Sequence, residues 1–298
     1  MSLSTLLPLF HSTETLESDS QTKKVSLLGT INGKNAILQL EKRPFDSKAC
    51  IPNSDIIQAQ SNDVYFWGTG SRSTKDSGDK QTTDSAGCKI NLIYPASAAH
   101  IAKYRKHPLH MVIETPKAYQ KIVRPYIETQ KGDRLSWVRN ILYHGQEVER
   151  VVSKDSNYIL LPDMKWDGVA IDSLYLVAIV YRNDIASIRD LKQGDIPYLE
   201  AIRDSILENV PTKYPIARDQ LRLYVHYQPS FYHFHIHVVN ANYTGLGQTI
   251  LAGKAILLEE VIESLKLLGE DGFSKKTITY GLSESHDLWN LGMKDYTQ

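Results

Sequence analysis

The chain has 298 residues, of which 42% are apolar and 23% are charged, and its formal net charge at pH 7 is zero. This length allows one large domain or two ordinary ones, and the composition supports a hydrophobic core. The neutral balance provides no global field for duplex DNA or an anionic membrane. No apolar run reaches the roughly 18 residues that a membrane span needs. We therefore expect neither a membrane protein nor a binder of duplex DNA.

The chain's start and its cysteines indicate a compartment. Residues 1–10 are mildly apolar but lack a basic leader and a small-residue cleavage site, so they do not predict a signal peptide. The two cysteines, Cys50 and Cys88, have no neighbours that mark a nucleophile or a metal ligand. Reduced thiols in a cytosolic or nuclear protein are therefore expected.

Strand signals dominate the start of the chain. Asn32-Gly33 lies between apolar alternations in residues 24–41, which predicts a two-residue hairpin turn. Short strands are also predicted over residues 63–67 and 89–94. Between them, residues 68–87 are rich in Gly, Ser, Thr and Asp, which predicts a long exposed loop.

Two helices are expected next. Ser97 is a capping residue for the first, and Thr115-Pro116 combines N-cap and first-turn signals for the second. Lys131-Gly132-Asp133 then interrupts the pattern, and we place a domain boundary there. The predicted domains are residues 1–131 and residues 132–298.

The second half is rich in short strands bounded by turn residues. Strands are predicted over residues 137–143, 147–152, 158–161, 174–181, 220–227, 233–240 and 276–282. Helices are predicted over residues 195–209 and 252–268. Most successive strands are too closely spaced for helical crossovers. The sequence therefore predicts an α+β fold in which helices pack on an antiparallel sheet.

Three histidines alternate with apolar residues in His233-Phe234-His235-Ile236-His237. This period of two predicts a strand with the three imidazoles on one face. His226 lies one predicted strand earlier. Three interpretations are open: structural histidines that are partly satisfied, a zinc site with a ligand from elsewhere, or a nucleophilic imidazole that attacks phosphorus. In the third, neighbouring groups would stabilise the phosphate charge.

Residues 233–239 match the pattern His-φ-His-φ-His-φ-φ and resemble the histidine-triad superfamily of nucleotide hydrolases and transferases. The resemblance implies that the middle histidine, His235, is the nucleophile. It implies that His237 contacts the phosphates and that His233 belongs to the supporting hydrogen-bond network. The motif alone does not identify a substrate.

A second set of residues narrows the resemblance. Trp137, Glu147, residues 161–166 and residues 224–232 resemble the scavenger messenger-RNA decapping enzymes, a two-domain branch of that superfamily. The similarity covers most of the chain from Ser61 onward. The family hydrolyses the 7-methylguanosine cap on short RNA fragments or on cap dinucleotide, so the resemblance implies these substrates.

The resemblance also implies two sets of contacts. The cap-binding set is Trp137, Glu147, Asp163, Met164, Lys165, Asn62, Tyr65 and, as a pocket wall, Tyr175. The phosphate-binding set is His100, Lys103, His226, Ser230 and Lys254. A cationic base favours an indole, by about 0.5–2 kcal/mol, and a carboxylate. Phe231 and Lys254 depart from the tyrosine and arginine that the family usually has there.

The family architecture implied for this chain is a homodimer with exchanged N-terminal segments. A smaller N-terminal α+β domain would close over a C-terminal histidine-triad domain. Neither a cofactor nor a metal is expected, and a cytoplasmic location, with a nuclear share, is implied. A nucleotidyl-His235 intermediate would release 7-methylguanosine monophosphate. Two alternatives stay open here: a general dinucleoside polyphosphate hydrolase and a catalytically silent cap-binding regulator.

Overall fold

The computed structural model describes residues 2–20, 22–42, 54–62, 65–72, 88–164, 166 and 168–298. Over residues 54–62 and 65–72, and at Ala99, Lys103 and Gln248, it describes the backbone alone. The chain divides into two compact units, Met1–Lys106 and His107–Gln298. Among the described residues, no helix is both long enough and apolar enough to cross a membrane.

Antiparallel strands form most of the first unit. Its strands are β1 (His11–Asp19), β2 (Lys24–Ile31), β3 (Lys34–Lys42), β4 (Ser54–Asn62), β5 (Tyr65–Arg72) and β6 (Cys88–Ile93). Its helices are α1 (Leu3–Leu6) and α2 (Ala98–Tyr104). One sheet has the order β1-β2-β3-β6, and β4 pairs with β5. Asn32 and Gly33 both have positive φ, as the turn between β2 and β3 requires, so the predicted hairpin is confirmed.

The second unit contains a larger antiparallel sheet. Its strands are β7 (Leu109–Glu114), β8 (Ser153–Lys154), β9 (Tyr158–Pro162), β10 (Tyr175–Val180), β11 (Leu221–His226), β12 (His235–Asn240), β13 (Ala255–Leu257) and β14 (Ile278–Ser283). Six of them form a sheet with the order β13-β11-β12-β10-β9-β8, and β7 pairs with β14. All of the described pairings are antiparallel.

Helices cover this sheet on both sides. They are α3 (Pro116–Ala118), α4 (Arg124–Thr129), α5 (Ser136–Tyr143), α6 (Ile196–Lys213), α7 (Leu258–Leu268) and α8 (Asp287–Asn290), with a π-helical turn at Tyr119–Val123. Pro125 follows that turn and has no N–H to continue the α-helical ladder. Thr115 caps α3 through its hydroxyl, as its sequence signal predicts. The mixture of helices and antiparallel sheets confirms the predicted α+β class.

The two faces of strand β12 have different surroundings. Ile236 and Val238 point to the face that α6 and α7 cover, within the main hydrophobic core. His235 and His237 point to the opposite face, beside Ile179 on β10. The apolar side chains of α5 pack on this second face. The alternation along the strand therefore places the imidazoles on the face that α5 partly covers.

Several sequence predictions are wrong at the level of elements. Residues 137–143 form helix α5 and not a strand, because Val138, Ile141 and Leu142 bury one helical stripe. Residues 147–152 contain the 3₁₀ turn Val148–Arg150. Residues 255–257 pair with β11 before α7 begins, where a continuous helix is predicted.

The long loop predicted over residues 68–87 does not begin at residue 68. Residues 68–72 belong to β5, where they pair with β4. The remaining part, residues 73–87, lies outside the described residues. The predicted strand at residues 63–67 is likewise described only from Tyr65 onward, where β5 begins.

The boundary predicted after residue 131 also differs from the division of the compact units after Lys106. Residues 107–131 belong to the second unit because β7 pairs along its length with β14. Val123 and Ile127 are also buried in the core of that unit. Gly132 does interrupt the helix, with a φ of +77°. That break leads into another turn of the same compact unit.

Candidate active site

His235 is the first residue of β12 and is 3% exposed. Its Nδ1 lies 2.7 Å from the carbonyl oxygen of His233. Because a carbonyl oxygen can only accept, Nδ1 carries the proton and Nε2 of the neutral ring keeps its lone pair. This Nε2 is buried and has no hydrogen-bond partner among the described residues. The ring is therefore anchored at one nitrogen and chemically available at the other.

His233 and His226 are also anchored by backbone carbonyls. His233 Nε2 donates to the carbonyl oxygen of Val180 at 2.7 Å, and His226 Nε2 donates to that of Thr249 at 2.8 Å. His233 precedes β12, so the three imidazoles are not a continuous row on one strand as predicted. His233 lies in the segment before the strand, where its hydrogen bond to Val180 at the end of β10 holds the ring.

His237 joins the histidines into one cluster. Its ring centroid lies 4.2 Å from that of His226 and 5.0 Å from that of His235. Its Nδ1 lies 2.9 Å from the hydroxyl of Tyr175. This buried tyrosine comes from β10, the neighbouring strand, so the sheet register sets the orientation of the His237 ring.

Burial controls the protonation of His235 and His233. Desolvation lowers the pKa of His235 to about 4, although its bond to the His233 carbonyl acts in the opposite direction. Repulsion from His226, His233 and Lys254 lowers the pKa of His235 further. Desolvation also lowers the pKa of His233. Both rings are therefore neutral at pH 7, and a neutral imidazole nitrogen can act as a nucleophile.

A cavity of about 560 Å³ in the second unit brings together three of the predicted residues, Trp137, Ser230 and Lys254. Phe231 also lines this cavity, and its ring stacks on His235 with centroids 4.0 Å apart. Trp137 is 42% exposed, which leaves part of the indole available to a ligand. The cavity thus offers an indole, a hydroxyl and an ammonium group next to the aromatic cover of His235.

Glu147 lies in the turn that follows α5, at a left-handed φ of +61°. Its carboxylate forms an ion pair with Arg150. The same guanidinium donates to the carbonyl oxygen of Pro162 at 3.0 Å. Pro162 ends β9, so Arg150 ties the carboxylate to the strand end that leads into Asp163. The sequence carries no local signal for this role of Arg150.

Other members of the predicted cap-binding set differ in how the structure places them. Asp163 and Met164 directly follow β9, and Met164 is 89% exposed. Lys165 lies outside the described residues. Tyr175 is fully buried and contacts His237, so it supports the histidine cluster and is not the wall of an open pocket.

Four predicted residues belong to the first unit. Asn62 and Tyr65 face each other at the turn end of the β4–β5 hairpin, and Lys103 lies in α2. The side chains of these three lie outside what the structure describes. His100 sits in the first turn of α2, where its backbone N–H donates to the Ser97 hydroxyl. The cap at Ser97 is confirmed, while the roles of all four residues in binding stay predictions.

The zinc interpretation would require several nitrogen or sulfur ligands that converge on one point. In the part of the chain that the structure describes, no group of three or more His, Cys, Asp or Glu side chains is arranged to hold a metal ion. One ring nitrogen in each of His226, His233 and His235 bonds to a backbone carbonyl instead. The donor set thus gives the zinc interpretation no support.

The fold and the site define an α+β protein whose antiparallel sheet carries a cluster of buried histidines near a cavity lined by an indole and an ammonium group. The family model described as "Scavenger mRNA decapping enzyme (DcpS) N-terminal" matches residues 5–107. The model described as "Scavenger mRNA decapping enzyme C-term binding" matches residues 136–252. The chain belongs to the scavenger mRNA decapping enzyme family.

Curated proteins from distant eukaryotes agree with this membership. The chain is 39% identical to "m7GpppX diphosphatase" of Schizosaccharomyces pombe, over 95% of this chain and 94% of that protein. It is 38% identical to the protein of the same name from Ascaris suum, over 94% of this chain and 92% of that protein. It is 34% identical to the protein of the same name from Bos taurus, over 95% of this chain and 84% of that protein.

Proposed function

We propose that this protein hydrolyses 7-methylguanosine cap dinucleotide and short capped RNA fragments. The products are 7-methylguanosine monophosphate and a nucleoside diphosphate or the diphosphate end of the RNA. Family membership and full-length similarity to proteins named m7GpppX diphosphatase support this activity. The structural observation that carries it is His235, whose Nδ1 is anchored and whose Nε2 lone pair has no partner among the described residues.

In the proposed reaction, His235 Nε2 attacks the phosphorus atom next to 7-methylguanosine. The N–P bond forms and the bond from phosphorus to the bridging oxygen breaks, so the diphosphate leaves. Water then attacks the same phosphorus atom, the N–P bond breaks and one water proton passes to solvent. The imidazole returns to its neutral form, which its low pKa favours. The covalent step divides one difficult displacement into two easier ones.

Cationic and hydrogen-bonding groups can stabilise the phosphate charge in this proposal without a metal ion. Lys254 brings a positive charge to the cavity, and its Nζ donates to the carbonyl oxygen of Gln228 at 2.5 Å. Ser230, on the loop between Gln228 and the histidines, adds a hydroxyl. His237 and His226 lie against each other and are proposed to contact the phosphates. Excess chelator should therefore leave turnover unchanged.

Recognition of the methylated base is proposed to use Trp137 and Glu147. The cationic 7-methylguanine ring would stack on the exposed indole. The carboxylate of Glu147 would accept hydrogen bonds from the base N1–H and exocyclic amine. Asp163 and Met164 follow the strand end that Arg150 links to Glu147, where they could contact the nucleoside.

The finer assembly and location are also proposals. A homodimer with exchanged N-terminal segments fits the family to which the chain belongs. Light scattering of the purified protein tests it, and a monomer at micromolar concentration would contradict it. A cytoplasmic location with a nuclear share fits a substrate made of capped RNA ends. Imaging of the tagged protein tests this, and exclusion from both compartments would refute it.

The activity is tested by incubating the full chain with methylated cap dinucleotide in excess EDTA and identifying the products by mass spectrometry. Release of 7-methylguanosine monophosphate together with GDP is expected. Binding without turnover would indicate a silent cap-binding protein. Products that appear only after zinc is added would overturn metal independence. Equal cleavage of the unmethylated dinucleotide would indicate a general dinucleoside polyphosphate hydrolase.

Trp137→Ala is expected to lower the preference for methylated over unmethylated dinucleotide. A lost cation–π contact of about 0.5–2 kcal/mol corresponds to a decrease of about 2- to 30-fold in the ratio of kcat/KM values. Tyr143→Ala is a matched control, because Tyr143 is also an exposed aromatic residue of α5. Parallel loss of turnover on both substrates, with the ratio unchanged, would argue against base stacking at Trp137.

A further inference from the structure

An unbroken series of aromatic contacts connects the base-binding and catalytic groups. The Phe231 ring stacks on the imidazole of His235, with centroids 4.0 Å apart and an interplanar angle of 13°. The indole of Trp137 meets the same phenyl ring edge-on, with centroids 4.8 Å apart and an angle of 77°. Phe231 therefore touches the proposed base-stacking group and the proposed nucleophile at once.

The geometry of the stack restrains His235 without occupying its line of attack. A nearly parallel phenyl ring covers the π face of the imidazole, whereas the Nε2 lone pair lies in the plane of the imidazole ring. The Nδ1 hydrogen bond to the His233 carbonyl fixes a second direction of the same ring. The stack restricts the tilt of the imidazole plane, and the hydrogen bond restricts rotation within that plane. Together they favour a fixed angle of attack by Nε2.

The hydrophobic cluster beneath α5 supports the same connection. This cluster contains Val138, Ile141 and Leu142 of α5, and Phe231 packs against it. Trp137 precedes Val138 on that helix. A ligand that stacks on the indole and displaces it slightly would therefore also displace the packed cluster that includes Phe231. Closely packed interiors transmit such small displacements.

We propose that Phe231 is a positioning residue that couples the base-stacking indole of Trp137 to the imidazole of His235. Occupation of the base site would thus tighten the orientation of the nucleophile, so that the methylated base affects the chemical step as well as binding. This inference rests on the proposed function, since it assigns those roles to Trp137 and His235. Phe231 itself needs no contact with substrate.

A purely structural role for Phe231 would make different predictions. If Phe231 were only a core residue, replacing it would lower the free energy of unfolding and leave the orientation of the His235 ring unchanged. A positioning residue would change kcat more than the affinity for 7-methylguanosine monophosphate. Removal of the phenyl cover would also hydrate the imidazole, so the pKa of His235 should rise from about 4 towards its ordinary value. His226, His233, Lys254 and His237 face the same ring and would stay in place.

The experiment compares Phe231→Leu with Phe231→Tyr in the full-length protein. Phe231→Leu should lower kcat about 10- to 100-fold, the scale of a misoriented reacting group. Its affinity for 7-methylguanosine monophosphate should fall by a much smaller factor than kcat, and Phe231→Tyr, which keeps the ring, should restore kcat. A Phe231→Leu protein with unchanged kcat and an unchanged pKa of His235 would overturn the proposal.

A spectroscopic measurement separates this inference from the proposed function. Added 7-methylguanosine, which has no phosphate to contact His235 directly, should at saturation shift the ¹⁵N resonances of His235 in the wild type, and much less in Trp137→Ala or Phe231→Leu. This readout needs no turnover, so a failure of the wild type to cut the cap would refute the function and still leave the coupling tested. Equal shifts in all three proteins would overturn the coupling even if the enzyme is active.

Discussion

His235→Asn is expected to lower kcat for methylated cap dinucleotide by about 10⁴-fold or more, as loss of a nucleophile does elsewhere. The reason is chemical, since the amide nitrogen of asparagine has no basic lone pair with which to form the N–P bond. The side chain remains polar and smaller than imidazole, so binding of 7-methylguanosine monophosphate should persist. Single-turnover product release and equilibrium binding, measured on the same preparation, separate the two effects.

A matched control for this variant is His144→Asn. His144 is an exposed histidine at the C-cap of α5, outside the histidine cluster, and asparagine is well tolerated there. Wild-type turnover is expected from it. If His235→Asn retained more than a small fraction of wild-type kcat, His235 would not be the nucleophile. The family membership would stand, and the search for the attacking group would move to His237 or to an activated water.

The low pKa of His235 gives the proposed reaction a defined pH behaviour. Burial is its main cause, and the neutral form therefore exists at all pH values well above about 4. The nucleophile should then not limit the rate on the acidic side of neutrality, where an ordinary histidine with a pKa of about 6.5 would. Below about pH 4 the ring becomes protonated, and its Nε2 lone pair is lost.

The sequence predicts the histidine strand well because the signal is local. His235 and His237 alternate with apolar residues, and the structure places them on the sheet face opposite the main core. The same period places His233 on that strand, but the ladder begins only at His235. Where a strand begins depends on pairing partners, here Val177 and Ile179 of β10, which are distant in sequence.

The sequence of helix α5 carries a helical signal that its short length makes ambiguous. Short apolar runs fit both a strand and a helix, so the run at residues 137–143 also fits the strand that is predicted there. Val138, Ile141 and Leu142 follow the spacing i, i+3, i+4, which is helical, and all three are buried. Trp137 lies four residues before Ile141, at the edge of that stripe, and its indole is partly exposed.

The contacts that support the site could not be predicted from local patterns. Arg150 links Glu147 to Pro162, but its sequence neighbourhood is that of any surface arginine. The sequence marks Phe231 only as a departure from the usual family residue, whereas its position between Trp137 and His235 depends on the tertiary structure. The period of the apolar residues identifies the buried face of a helix or a strand. It carries no information about which side chains of different elements come into contact.

A buried charge network is the clearest case of such a long-range feature. Glu114 and Arg189 form an ion pair with both side chains fully buried, 2.6 Å apart. The carboxylate also accepts hydrogen bonds from the hydroxyl of Tyr227 at 2.6 Å, that of Tyr280 at 2.8 Å and the amide of Gln228 at 3.0 Å. Gln228 begins the loop that carries Ser230 and Phe231. The network therefore anchors the start of that loop in the core.

Arg189→Met is expected to destabilise the second unit by about 3–5 kcal/mol, because it leaves the Glu114 carboxylate buried without its counter-ion. It also removes the donors to the carbonyl oxygens of Phe273 and Lys276. Urea unfolding followed by tryptophan fluorescence measures the loss, since three of the four tryptophans, Trp137, Trp166 and Trp289, belong to this unit.

The control for this prediction is Arg218→Met, which removes an exposed arginine that lies 3.6 Å from the carboxylate of Asp204. Its cost should be about 0–1 kcal/mol, as for other surface pairs. The double variant Glu114→Gln with Arg189→Met should recover part of the loss, because the uncompensated buried charge is gone. Equal unfolding free energies for Arg189→Met and Arg218→Met would show that the pair does not anchor this core. The loop with Ser230 and Phe231 would then owe its position to its other contacts, which include the stack of Phe231 on His235 and the hydrogen bond from Lys254 to the Gln228 carbonyl.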